Sequence, residues 1–314
     1  MRDFSNFLQI FLLSFLVIVS CTTVCAQQLD PETAGRKFFI AFPKIVENIR
    51  DPRFARTGSS YLAYIYSDRD SNTLRVTNME TGTDTLYSLQ KWGFTAVDFG
   101  ANPTVITSDA PSAKTWRLEA DEPVIVYCLF FGQFGAEAWT PIPAERWGKE
   151  YYAASLPGTA VMDFQFPSSD SLQTTVRATP PQCLIIAAED NTSVTITPSI
   201  SGPISPAFST EPFTIHLNSG EVYQVTGFVD IGKFPNQSQT TISGTRIVSD
   251  RPISVISGNS RNDGSIRSQQ VTGNTSKNPG YEALSPIEQY GKNFVFLPTW
   301  DRVRVMGEPN EKIQ

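Results

Sequence analysis

Catalysis needs a nucleophile, an acid–base pair or a metal set, and this chain offers few residues for any of them. Its single histidine, His216, stands in "FTIHLNSG" and alternates with Ile215 and Leu217, as a residue on one face of a strand does. A Ser-His or Cys-His pair would need a nucleophile delivered to it by the fold, and no Gly-x-Ser-x-Gly elbow is present. Zinc takes three or four ligands, and one His with the distant Cys128 and Cys183 makes no recognisable set. "SLQK", Ser88 to Lys91, has the Ser-x-x-Lys spacing of an acylating serine but lacks the companion motifs and sits in β-rich surroundings. "DRDSN", Asp68 to Asn72, spaces its oxygens like the front of a calcium loop, without the glycine and distal Glu that complete one; it reads better as a turn. The 31 Asp and Glu single out no facing pair, so a carbohydrate-active enzyme is the least favoured reading. The expectation is no enzyme, no cofactor and no metal.

Contact residues are better candidates. "FFGQFGAEAWT" places Phe130, Phe131, Phe134 and Trp139 in a glycine-containing connection, where exposed aromatics would anchor a partner or a sugar face. The competing reading has the same side chains filling a junction between units. A second, polar connection runs from Gly258 to Ala283. Asn191, Asn236 and Asn274 each begin an Asn-x-Ser/Thr acceptor for N-glycosylation, which marks surface loops in a eukaryotic secreted chain. Cys128 and Cys183 pair in an oxidising compartment if the fold brings them together; otherwise they are two small buried apolar side chains.

The elements that position these residues recur. "PETAGRKFFIAFP", "PAERWGKEYYAASLP" and "PIEQYGKNFVFLP" share a Gly-cation step at Gly35, Gly148 and Gly291. "SDRDSNTLRV" is answered by "AEDNTSVTI", and "ADEPVIV" at Ala120 by "SDRPISV" at Ser249. The order is kept in both copies, which is the mark of repeated architecture. Alternation of apolar and polar residues, with 22 Pro and 20 Gly as punctuation, predicts strands; only Pro143 to Trp147 suggests a helical turn. "CLIIAAEDNTSVTITP" and "TIHLNSGEVYQV" read as hairpins. In the Asp-x-Pro phrases, the Asp caps a turn and the Pro opens a strand. The fold class is all-β, as tandem β-sandwich or jelly-roll-like units. The divisions are 27–141, 142–283 and, from 284–314, the start of a third, truncated repeat.

Residues 1–26 read as a secretory signal peptide: Arg2, an apolar run from Phe7 to Val19, and a small-x-small cut at Val24-Cys25-Ala26. In the alternative, "LVIVSC" is a lipobox and Cys21 carries a lipid anchor on a bacterial surface. No other transmembrane segment is expected. A net charge of -6 argues against nucleic acid as a partner.

Taken together, "PIPAERWGKEYYAASLP", "IIAAEDNTSVTITP", "LNSGEVYQV", "SGTRIVSDRPISVISGN" and "LSPIEQYGKNFVFLP" resemble the N-terminal domain family of IgGFc-binding protein, over most of Pro141 to Pro298 and more weakly in the earlier copy. The resemblance implies a non-catalytic, secreted binding or adhesive module of the kind found in mucus and surface proteins, with an extracellular glycoprotein or glycan as partner. The alternative is a structural spacer or assembly module of such a network. Gly258 to Ala283 lacks the cysteines that the family pattern places there.

Overall fold

Runs of alternating Val, Ile, Tyr, Phe and Thr form strands because every second side chain can be buried against a second layer. The computed structural model describes residues 29, 33–46, 59–100, 103–104, 109–132, 135–165, 173–199, 202–206, 208–233, 240–262 and 278–293. The first unit contains β1 (Gly35–Ile40), β2 (Ser60–Ser67), β3 (Thr73–Asn78), β4 (Thr83–Ser88), β5 (Gly93–Asp98), β6 (Trp116–Phe131) and β7 (Ala136–Trp139). Next come β8 (Gly148–Tyr152) and the paired β9 (Thr159–Gln165) and β10 (Gln173–Thr179). The second unit is then completed by β11 (Pro181–Ala187), β12 (Thr192–Thr197), β13 (Phe213–Leu217), β14 (Val222–Thr226), β15 (Arg246–Asn262) and β16 (Asn278–Ala283).

Both units are antiparallel sandwiches wound around one long strand. In the first, residues 116–120 of β6 pair with β1 and β3, and residues 125–131 pair with β2 and β7. β4 extends one layer beside β3, and β5 the other beside β2. In the second unit, residues 246–249 of β15 pair with β12, and residues 253–259 with β11; β13 and β14 extend the two layers. β8 and β16 take the places of β1 and β7. All-β sandwich architecture is therefore as the sequence predicts.

The Asp-x-Pro phrase does something the sequence reading missed. Asp250-Arg251-Pro252 does not open a strand; it lies inside β15, where the strand leaves one layer for the other and residues 250–252 fall outside the β8, β11 and β12 registers. A proline costs no ladder bond there, since no donor is called for. The Asp250 carboxylate accepts from the Ser193 amide at 2.9 Å, tying β12 to the crossing; in the first unit the Thr73 hydroxyl donates to Asp121.

Both expected hairpins are arches instead. β11 and β12 do not pair with each other, and neither do β13 and β14; each pair places its strands in opposite layers. The turn chemistry holds, with Asn191 at φ 54 and its counterpart Ser71 at φ 58. A turn reverses the chain without deciding whether its flanks bond or stack. Here they stack, because Cys183 and Ile185 on one side and Val194 and Ile196 on the other fill the same core.

The first core holds Phe38, Ile40, Ala63, Ile65, Leu74, Leu118, Val126 and Cys128; the second holds Tyr151, Cys183, Ile185, Val194, Ile247 and Val255. Cys128 and Cys183 are free, each buried in its own core, so the disulfide weighed from sequence is not formed. A third cluster joins the units. Phe39, on the outer side of β1, and Ala41, just beyond the strand, pack with Trp147 against Leu184, Ile186, Val222, Ile256 and Tyr281.

The Gly-cation phrase belongs to this joint. A Cβ on Gly35 would stand 2.2 Å from the Pro143 Cβ, and one on Gly148 2.3 Å from that of Pro286. Glycine is required at both positions by close approach. The short 3-10 turn Ala144–Arg146, at the helical turn predicted, carries Glu145, whose Oε1 accepts from the Arg36 and Lys37 amides at 3.1 Å each. Glu288, on the equivalent turn Ile287–Gln289, accepts from the Lys149 amide at 3.0 Å. Each repeat thus opens by clamping the one before it.

Candidate binding surface

β2, "SYLAYIYS", is apolar on both sides, which a strand with one wet face has no need to be. Tyr61, Ala63 and Ile65 point into the first core. Leu62, Tyr64 and Tyr66 point the other way. The β5–β2–β6 register then assembles a cluster on the outer face: Tyr66 lies opposite Phe94, and Tyr64 opposite Tyr127. Ring centroids of Tyr66 and Phe94 are 5.3 Å apart, and Phe94 is 6.4 Å from both Tyr64 and Tyr127. These are separations at which aromatic rings attract. Phe94 is 59% exposed, Tyr127 39%, and Phe131 continues the face along β6 at 45%.

Beside this face, Trp92 is exposed at φ 58, with the Lys91 ammonium 5.9 Å from its ring centroid. A contiguous aromatic face on a rigid sheet is what a contact surface looks like: large apolar area, few rotors to freeze and hydroxyls at the rim.

The residues singled out from sequence are distributed differently. Phe130 and Trp139 are 2% and 3% exposed and belong to the first core, where Trp139 meets Phe42 edge-on at 5.4 Å. They are not surface contacts: β6 and β7 alternate, and these two positions fall on the inward phase. Phe131 is on the outward phase, and Phe134 lies outside the described residues. Asn191 is exposed at the β11–β12 turn; Asn236 and Asn274 lie outside the described residues, as do residues 1–26 with Cys21. Tyr64, Tyr66, Phe94 and Tyr127 were missed, though the doubly apolar β2 was the available signal.

The chemical candidates remain apart. His216 is exposed on β13 opposite Ser193. Asp70 pairs with Lys91 at 2.8 Å and Asp68 with Arg69 at 3.3 Å, so this turn spends its carboxylates on cations of its own surface. Burial pushes the Cys183 thiol up to about 12 and raises Cys128 well above its usual value, the opposite of what a nucleophilic thiol needs. Among the described residues, no group of three or more His, Cys, Asp or Glu is placed to hold a metal ion. No helix among them is long and apolar enough to cross a membrane.

The described residues thus form a pair of β-sandwiches, the first of which carries an aromatic cluster on its outer face. Residues 137–313 match the family model described as IgGFc binding protein. The chain belongs to that family, one of non-catalytic binding proteins. The match runs from β7 through the second unit and covers the third Gly-cation phrase, leaving the aromatic face of the first unit outside it. Nothing among the curated proteins or the solved structures matches the chain.

Proposed function

We propose that this chain is a secreted or cell-surface, non-catalytic adhesion module that engages an extracellular glycoprotein or glycan through the face formed by Tyr64, Tyr66, Phe94 and Tyr127. The carrying observation is the cluster itself: three strands place four rings on one outer face, with Phe94 and Tyr127 exposed and Tyr64 and Tyr66 half-buried beside them, outside the core beneath. Membership of a binding family supports a binding role for the chain; the match itself covers the second unit and not this face. The leader at 1–26 delivers the chain outside the cell, or Cys21 anchors it there. Units at 27–141 and 142–283 form the rigid body, with a third repeat starting at 284, and Asn191, Asn236 and Asn274 carry glycans in a eukaryotic host.

The test is surface capture of mucin-type glycoproteins, free glycans and immunoglobulin Fc by the purified chain and by Phe94→Ala. Saturable capture that weakens at least tenfold in the variant, at unchanged Tm, is expected. Capture of none of the three overturns the reading. The second reading, a structural assembly module, is favoured by the buried joint between the units.

A further inference from the structure

β5 is the outermost strand of its layer, and its free edge borders the aromatic face. The Phe99 amide donates to the Tyr61 carbonyl at 3.0 Å, which fixes the parity of the ladder: Thr95 and Val97 turn their main-chain groups toward β2. Phe94, Ala96 and Asp98 turn theirs away from it. All three residues are exposed, and among the described residues no strand pairs with this edge. Their amides and carbonyls form an open row, the template on which a further strand can be laid.

The second unit shows what such an edge takes. Val222 on β14 sits opposite Ile186 as Phe94 on β5 sits opposite Tyr66. The Val222 amide donates to the Ser112 carbonyl at 2.8 Å, and its carbonyl accepts from the Ser112 amide at 2.9 Å, so extended main chain already lies antiparallel along that edge. The sheet face beside it is fitted to the first unit: Gln224 accepts from the Lys44 amide at 3.0 Å, and Gln182 accepts from the Tyr281 hydroxyl at 2.8 Å. The same registers put Ala96 in the place of Gln224, Leu62 in that of Gln182 and Ala138 in that of Tyr281. The first unit keeps the open edge and drops the polar groups that receive another unit. A repeat stacked as in the internal joint is therefore not the occupant to which these residues are fitted.

We propose that the β5 edge takes an extended segment of another protein as an added antiparallel strand, whose alternate side chains lie over the aromatic face. This rests on the reading of that face as a contact surface and names its partner. The incoming chain meets Asp98, Ala96 and Phe94 in that order, and its side chains at those three positions fall on the side of the Phe94 ring. Asp98 is exposed, with Oδ1 holding the Gly100 amide at 2.8 Å, so a cation opposite it makes a cross-strand pair. Apolar side chains opposite Ala96 and Phe94 reach the rings. The partner is thus a basic-x-apolar-x-apolar stretch, held by main-chain bonds and selected by its alternate side chains. The rings favour side chains over sugars: interplanar angles of 46°, 54° and 87° leave no two contacting rings coplanar, which makes ridges rather than a platform for stacking.

The experiment is fluorescence anisotropy on the purified chain with a labelled peptide, Thr-Lys-Thr-Val-Thr-Val-Thr, whose Lys and two Val are set to meet Asp98, Ala96 and Phe94. Two N-methylated versions separate strand pairing from apolar adhesion. A methyl on the first Val removes a bond to the edge; one on the Thr between the valines sits on an amide that faces away. Saturable binding is expected, weakened by about tenfold or more by the first methyl and left nearly unchanged by the second. Replacing the peptide Lys by Gln weakens binding to wild type and not to Asp98→Asn. Ala96→Pro, which removes an outward amide and leaves the β2 ladder intact, abolishes binding at unchanged Tm; if its Tm falls, the methylated pair on wild type carries the test. No binding, or equal binding of the two methylated peptides, overturns the proposal. Glycoprotein capture by the same proteins separates the two readings. Capture lost in Phe94→Ala with no peptide bound leaves the face a contact surface for another kind of partner and removes the added strand. Peptide bound as expected with capture retained in Phe94→Ala keeps the added strand and takes the glycoprotein off this face.

Discussion

Trp139 illustrates how one residue changes meaning when its phase along a strand is known. In sequence it ends a glycine-containing aromatic stretch; in the fold it is 3% exposed and packs against Phe42. Its substitution should therefore cost stability rather than affinity. Trp139→Ala is expected to lower unfolding free energy by about 3–5 kcal/mol, the usual cost of emptying a large aromatic site. Its indole N–H has no hydrogen-bond partner among the described residues, so Trp139→Phe should retain most of that stability in a denaturant melt. The two thiols make a parallel case. Burial raises both, so Cys128 and Cys183 should not react with a thiol reagent in the native chain and should both react once it is unfolded. Fast labelling of either in the native state would contradict the core placement.

At the level of elements, the edges where the units meet carry an electrostatic load. Glu137 on β7 and Glu282 on β16 both have carboxyls raised above the ordinary 4.5, first by burial; the charge of Glu282 adds to the effect at Glu137, and amide bonds from Tyr281 and Ala138 oppose it. A raised carboxyl binds its proton more tightly in the folded chain than in the unfolded one. Its contribution thus favours folding below about 4.5 and is lost as pH rises through the raised folded value. Glu282, on the exposed side of its strand, is screened by solvent, so Glu282→Gln is expected to raise Tm slightly at pH 7 and less at pH 4, read from paired thermal melts; an equal shift at both would refute the charge as the cause. The strands that form these edges, β7 and β16, lie in the two stretches that the sequence reads as connections, whereas β11 to β14 were legible from alternation. Their pairing was not: the Asp190-Asn191 and Asn218-Ser219-Gly220 turns announce a reversal, and only the inward sets Cys183/Ile185 and Val194/Ile196 decide that the flanks stack across a core.

For the molecule as a whole, the shared cluster makes the two units one thermodynamic body. Phe39, Ala41 and Trp147 bury against the second unit, and the Ser112 and Val222 main chains exchange two hydrogen bonds at 2.9 and 2.8 Å across the same joint. A buried Phe stabilises by roughly 1.5–3 kcal/mol, enough to couple the transitions. Wild type should melt as one transition by calorimetry, and Phe39→Ala should separate it into two. The sequence by itself determined the β class, the repeat, and the positions where chain direction changes, because period-two alternation and turn residues are local properties. The tertiary structure alone decided which apolar side of a strand is core and which is contact. In "SYLAYIYS" and "PQCLIIA" both sides are apolar; the second strand is covered by β1 of the preceding unit, and the first is left open. That difference depends on what lies across the sheet, and no stretch of neighbouring residues encodes it.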